Sequence, residues 1–172
     1  VLLTVLAVVP CLLVPVDAPV VDPFRPPPCS WCPGNRGLEY ATRAGTTVRA
    51  PMAGRVSFAG VVAGTRYVVV EQLVDGQRVR VTLGGLLDSG LRTGDTVRLG
   101  QVVGTTSTRF HLGLRVADAY VDPTPWLAAA PRLRARLVPL DGQRRLAAPS
   151  SALSCPGPAD GSRRWESRGG VR

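Results

Sequence analysis

A compact antiparallel all-β domain with flexible termini is the fold class this sequence predicts, and three observations predict it. Short Val-rich runs recur between residues 46 and 121. One of them alternates basic and apolar residues with the period of a half-exposed strand. The 19 Gly and 16 Pro among 172 residues supply many turns and leave little uninterrupted chain for long helices.

The elements follow in order. GRVSFAGVVAG (54–64) and RYVVVEQL (66–73) are rich in β-branched residues, which suit a pleated, half-buried surface. QRVRVTL (77–83) sets Arg80 between Val79 and Val81, and Asp75-Gly76 just before it is a two-residue hairpin signal. LRTGDTVRLGQVVGTT (91–106) predicts two short strands around Gly94-Asp95 and Gly100. RFHLGLRV (109–116) predicts a last strand with Phe110, Leu112 and Leu114 on one face. Arg109, His111, Gly113 and Arg115 share the other. VDPTPW (121–126) closes the domain, 127–136 reads as a short Arg/Leu/Ala helix, and disorder is expected beyond 140. The chain thus divides into a signal-like apolar segment (1–18), a proline-rich lead-in (19–33), the β domain (34–127) and a basic tail (128–172), itself expected to be disordered.

Hydrophobic residues at 45% are enough for a real core, and the net charge is +9. Every basic residue is Arg, a bias that reads as codon usage rather than as phosphate recognition. Residues 131–172 carry nine Arg against Asp141, Asp160 and Glu166, so two-thirds of the excess charge lies there. Such a tail predicts non-specific contact with polyanions. No aromatic-basic interleaving accompanies it, so specific nucleic-acid binding is not expected.

The opening VLLTVLAVVPCLLVPV is apolar for sixteen residues, interrupted by Pro10 and Pro15. A bilayer span needs ~20 apolar residues, so this stretch fits the apolar region of an export signal better, with Val16-Asp17-Ala18 as a loose cleavage site. It lacks a basic start and an initiating Met, which fits a truncated or misassigned beginning. An uncleaved anchor and a buried core strand stand beside export as readings. An exported chain predicts a short-loop disulfide between Cys29 and Cys32 in CSWC, ahead of a redox pair or a metal clip. Cys155, in the tail, is expected to be unpaired.

The ordered phrases NRGLE, AGTTVRAPMAGRVSFAG, the Asp75-Gly76 hairpin, GLRTGDTVRLGQVVG, RFHLGLRV and VDP resemble the lysostaphin-type, or LytM-domain, zinc metallopeptidases, over about residues 33–126. That resemblance implies the family's duplicated hybrid motif fold and a place among enzymes that cut peptide cross-bridges in bacterial cell walls. It also implies a zinc held by two His and one Asp, with a fourth position open for water, and two further His that poise the water. The family's H-x-x-x-D unit falls on NRGLE, which puts Asn35 at a His ligand position and Glu39 at the Asp position. Its HLHFEVR strand falls on RFHLGLR, which keeps His111, the protein's single His, as a ligand and puts Arg109 at a catalytic His position. Gly85 stands at the other catalytic His position.

A guanidinium stays protonated and cannot act as a general base, so no catalytic residue is expected at Arg109 or Gly85. Zinc is expected to be weak or lost. A relic zinc ligand is one reading of His111; the favoured one is a groove histidine hydrogen-bonded to Glu39 or Asn35. Thiolates of Cys29 or Cys32 are a remote rescue of the metal site, and Arg109 with Arg115 could hold an anionic group in the groove. The expected function is an exported, monomeric, catalytically degenerate domain that binds peptidoglycan or a wall-associated partner. The alternatives are a divergent zinc endopeptidase and a decayed gene product.

Overall fold

A computed structural model of the chain describes residues 11–29 and 31–128. Its elements are β1 (Leu12–Leu13), β2 (Val20–Asp22), β3 (Gly37–Ala41), β4 (Thr47–Arg49), β5 (Gly54–Val62), β6 (Thr65–Val74), β7 (Gln77–Asp88), β8 (Thr96–Val97), β9 (Val102–Val116), β10 (Ala119–Val121), a 3-10 turn (Thr124–Trp126) and β11 (Leu127–Ala128). The main sheet runs in the order β2-β3-β9-β7-β6-β5-β8, antiparallel throughout, with β4 and β10 also paired to β9. The all-β antiparallel class is thus the one observed.

Two hairpins build the middle of the sheet. Asp75 and Gly76 both take positive φ (50° and 75°), the backbone a type I′ turn demands, and they join β6 to β7. Ala63 and Gly64 do the same between β5 and β6. Along these strands the alternation resolves as the sequence implies. Val56, Val68, Val70, Val79, Val81 and Leu83 are buried, and with Leu38, Val48, Phe110, Leu112 and Leu114 they form the core.

The spine is β9. One edge binds β4, β3 and β10 in succession and the other binds β7. The sequence suggests separate strands here, two short ones within 91–106 and a last one at 109–116, where the structure has one from Val102 to Val116. The polar groups at the junction find partners: buried Thr106 donates its hydroxyl to the Arg43 carbonyl (3.1 Å), and Thr42 donates to the Ser107 carbonyl (2.8 Å). With those groups satisfied, the chain stays extended through one 15-residue strand. A second difference is at Leu127–Ala128, a strand rather than the start of a helix. The rest of that expected helix, the basic tail and Cys155 lie outside the described residues.

The apolar opening contributes to this domain. Leu12 and Leu13 pair in parallel with Leu127 and Ala128. Leu12, Leu13 and Val16 are buried, and Leu12 and Val16 belong to the main core cluster. Their backbone is tied down as well: Leu13 N–H donates to Pro51 O (2.8 Å) and Arg49 N–H to Pro15 O (2.9 Å). Within residues 11–18, Leu12–Leu13 form a strand and Leu12, Leu13, Pro15 and Val16 are buried, while Asp17 is exposed. Cys11 is disulfide-bonded.

One core group is unusual. Tyr40 packs against Phe110 (ring centroids 5.8 Å apart) and its buried hydroxyl has no hydrogen-bond partner. Burial pushes its pKa up to about 12. Because the folded value lies above the unfolded one, this group's contribution is fully present below about pH 10 and is lost as pH rises toward 12. Denaturant midpoints measured at pH 9 and pH 11 should therefore diverge more in the native chain than in Tyr40→Phe. At neutral pH that variant should be as stable or slightly more stable, since it deletes an unpaired buried polar group.

Candidate functional site

The site is set by strand register. β3 and β9 pair with Glu39 directly opposite His111, Leu38 opposite Leu112 and Tyr40 opposite Phe110. Alternation sends Leu38, Tyr40, Phe110 and Leu112 into the core and leaves Glu39, His111 and Arg109 on the other face. Side chains directly opposite each other start ~5 Å apart at Cβ, close enough for contact. Glu39 Oε1 lies 2.6 Å from His111 Nδ1. Glu39 Oε2 lies 3.6 Å from Arg109 Nε, whose side chain is 64% exposed. One carboxylate thus bridges an imidazole and a guanidinium, which is the favoured reading of His111 with Glu39 as its partner.

These three residues form the wall of an open cleft of about 570 Å³, shared with Arg36, Tyr67, Thr82, Ser107 and Tyr120. Glycines make room for the imidazole. A Cβ on Gly37 would come within 2.6 Å of His111 Cε1. Gly85, also on the cleft wall, takes φ +76° at the bulge where β7 leaves register with β9. A Cβ there would collide with the Arg109 carbonyl oxygen. In this conformation position 85 admits no side chain, hence no histidine.

Asn35 has another job. Buried, it donates its amide to the carbonyls of Asp22 and Pro23 (3.1 Å each) and accepts the Gly37 N–H (3.2 Å). Its backbone exchanges two 2.9 Å hydrogen bonds with Arg25. The side chain staples the lead-in to the start of β3, and both of its amide ends are occupied by protein.

Other residues singled out from the sequence separate here. Cys29 and Cys32 form a disulfide, which removes them as thiolate donors. Arg115 does not line the cleft. It stacks over Tyr120 (5.1 Å to the ring centroid) and approaches Asp118 (3.5 Å), and its Nε is buried without a hydrogen bond. Arg109 lines the cleft while Arg115 is placed beside it, because β10 folds back next to β9 and sets Arg115 over Tyr120. The second cleft guanidinium is Arg36, which also lies over the Tyr120 ring, 5.6 Å from its centroid. Sequence reading missed it, although it lies inside NRGLE between two positions that were read.

Three donors free to converge are what a tetrahedral zinc site needs from the protein. Here the amide of Asn35 is spent on backbone, both Glu39 oxygens face cationic or N–H partners, and Arg109 places a fixed positive charge where a dication would sit nearby. Among the described residues no group of three His, Cys, Asp or Glu side chains is placed to hold a metal ion. The residues in this arrangement do not fit zinc. What they offer instead is a polarised wall. Nδ1 of His111 is held against Glu39, and the imidazole shares the cleft with the guanidiniums of Arg109 and Arg36.

The fold and the placement of these positions define a class of protein. The family model of peptidase family M23 matches residues 33–123, and the chain belongs to that family. The family is related to peptidoglycan hydrolases, is generally zinc-dependent, and its members are often extracellular or envelope-associated. Among solved structures the chain resembles Helicobacter pylori Csd3 in its orthorhombic crystal, at 24% identity over 69% of this chain and 35% of that one, with a TM-score of 0.59. It resembles a chain of the SpoIIIAH and SpoIIQ complex at 19% identity over 66% and 97% of the two chains, with a TM-score of 0.57. Lysostaphin in solution matches at 21% identity over 63% and 49%, with a TM-score of 0.54. The chain spans about a third of the length of Csd3. No curated protein matches it. Among the described residues no helix is long and apolar enough to cross a membrane.

Proposed function

We propose that this chain is an exported, monomeric M23 domain that has given up metal-dependent peptide cleavage and uses its cleft to hold peptidoglycan peptide. The observation that carries this reading is the bridge Arg109–Glu39–His111, in which former ligand and catalytic positions satisfy one another. A cleft of this kind keeps shape and polarity for a peptide while lacking a base free of its neighbours. Arg109 and Arg36 supply cationic contacts for the carboxylates that wall peptides carry. A wall-associated protein partner is the variant of this reading suggested by the SpoIIIAH and SpoIIQ complex, in which the same fold occurs within an assembly of two proteins.

The test is co-sedimentation with purified peptidoglycan, alongside a cleavage assay with and without added zinc. The native chain should sediment with the wall and release no peptide in either condition. Arg109→Ala should weaken wall binding by about ten-fold, as expected for a charge-assisted hydrogen bond worth ~1.5 kcal/mol. Chelator-sensitive turnover would instead mark a working zinc peptidase, and loss of all wall binding would remove the proposal.

A further inference from the structure

The lead-in to β3 is a stiff frame around one exposed aromatic. Trp31 is 90% exposed, the most open of the large apolar side chains exposed among the described residues. The Cys29–Cys32 disulfide clamps the loop that carries it, and Cys32 N–H returns to Cys29 O at 3.2 Å. The base of the loop is closed by the paired backbone bonds of Arg25 and Asn35 and by the Asn35 amide. Arg25 also binds Asp22 through two nitrogens, the closer at 2.9 Å. Pro23, Pro26, Pro27, Pro28 and Pro33 fix φ along the way. A backbone held like this loses little further freedom on binding, which lowers the ordering cost a single exposed ring must offset.

The chemistry of the ligand follows from the surroundings. PPPCSWCPG (26–34) contains no charged side chain, so nothing in the loop selects an ionic group. Anchors in protein interfaces sit within a surround of apolar contacts that excludes water; here the only other large aromatic of the lead-in, Phe24, is packed against the core. A lone, flat, uncharged ring suits a flat, uncharged partner. A pyranose is one, because one face of the sugar turns its C–H groups, which are weakly positive, toward the negative face of an indole. The loop runs directly into Gly34 and Asn35 on the cleft wall. A polymer that carries peptides on a sugar chain could therefore engage both features at once.

We propose that Trp31 is a stacking platform for a neutral amino-sugar ring of the glycan strand, next to a cleft that takes the attached peptide. The proposal rests on the wall-binding reading above and adds a second subsite to it. The test uses the full chain with two probes, intact peptidoglycan and a peptide-free chitin oligosaccharide. The oligosaccharide should change the tryptophan emission of the native chain, and Trp31→Ala should abolish that change and weaken binding of the oligosaccharide by about ten-fold. Trp31→Phe should retain part of the affinity. The double variant Cys29→Ser/Cys32→Ser should bind several-fold more weakly, because the loop is no longer held. Native binding to the oligosaccharide that survives Trp31→Ala, with the variant's circular dichroism unchanged, overturns the platform. So does native binding to intact peptidoglycan with no affinity for the oligosaccharide, which leaves the cleft reading standing. Failure of the native chain to bind either probe overturns both.

Discussion

A chain that begins at residue 19 should be far less stable than one that begins at residue 11, with about half of the folding free energy lost. The cut removes Leu12, Leu13 and Val16 from the interior, the β1–β11 pairing, and the carbonyl of Pro15 that accepts the Arg49 N–H. Fully burying a Leu or Val side chain is worth ~1.5–3 kcal/mol, so three of them represent roughly 5 kcal/mol before any allowance for the compactness of the unfolded state. Domains of this size have ~5–15 kcal/mol in total. Discounting for partial collapse of the site still leaves a loss of about half the stability. Removing Cys11 with the same cut takes away a disulfide as well. Urea midpoints of the two chains, measured with disulfides intact, decide the matter: equal midpoints would mean that the opening segment rests on the core without supporting it. The result bears on export too, since cleavage after Ala18 would remove part of the folded domain.

The sheet was legible in the sequence where local chemistry sets geometry. Asp75-Gly76 has to be a hairpin turn because few other residue pairs accept two successive positive φ values. The face of β9 that carries Phe110, Leu112 and Leu114 has to be buried once the strand has one dry side. The parts that were not legible depend on partners distant in sequence. GLEYA (37–41) is too short and too mixed to declare itself a strand, and it becomes one only because β9 offers it five paired residues. The same holds for the polar centre of β9, where the sequence divides 91–106 from 109–116 and the structure runs on through Thr106, whose hydroxyl the Arg43 carbonyl accepts. At the site, the resemblance to the family's motifs picked out Glu39, His111 and Arg109, while their mutual contacts could not be read, because they follow from cross-strand register. Arg115 shows the limit from the other side. It lies on the same strand face as His111, yet β10 turns it away, and strand alternation alone carries no information about a neighbouring strand's tyrosine.

Zinc-loaded and dialysed protein should retain well under about a tenth of a metal ion per chain, because fewer than three of the donors a tetrahedral site requires are free. The obvious repair, Asn35→His, should make matters worse. Asn35 satisfies two carbonyls and one N–H in a part-buried setting, and each partner left unpaired costs ~1–3 kcal/mol unless water reaches it. A loss of about 2–3 kcal/mol lowers the melting temperature by roughly 10 °C in a domain of this size. Zinc content should stay near zero in that variant, since Arg109 still neutralises Glu39 and repels a dication. Asn35→His brings the three ligand positions back to donors, but only Arg109→His beside it removes the opposing charge from Glu39, and even then Gly85 excludes a histidine at the remaining catalytic position without a shift of the bulge. Native protein that keeps near-stoichiometric zinc, and loses it on His111→Ala, would contradict this account and show that Glu39 swings from its partners to a metal. The expected pattern, an intolerant Asn35 with no metal to protect, would mean that the first ligand position has been taken over by the staple that holds the Trp31 loop. Reversal to an enzyme would then require rebuilding that loop as well as the site.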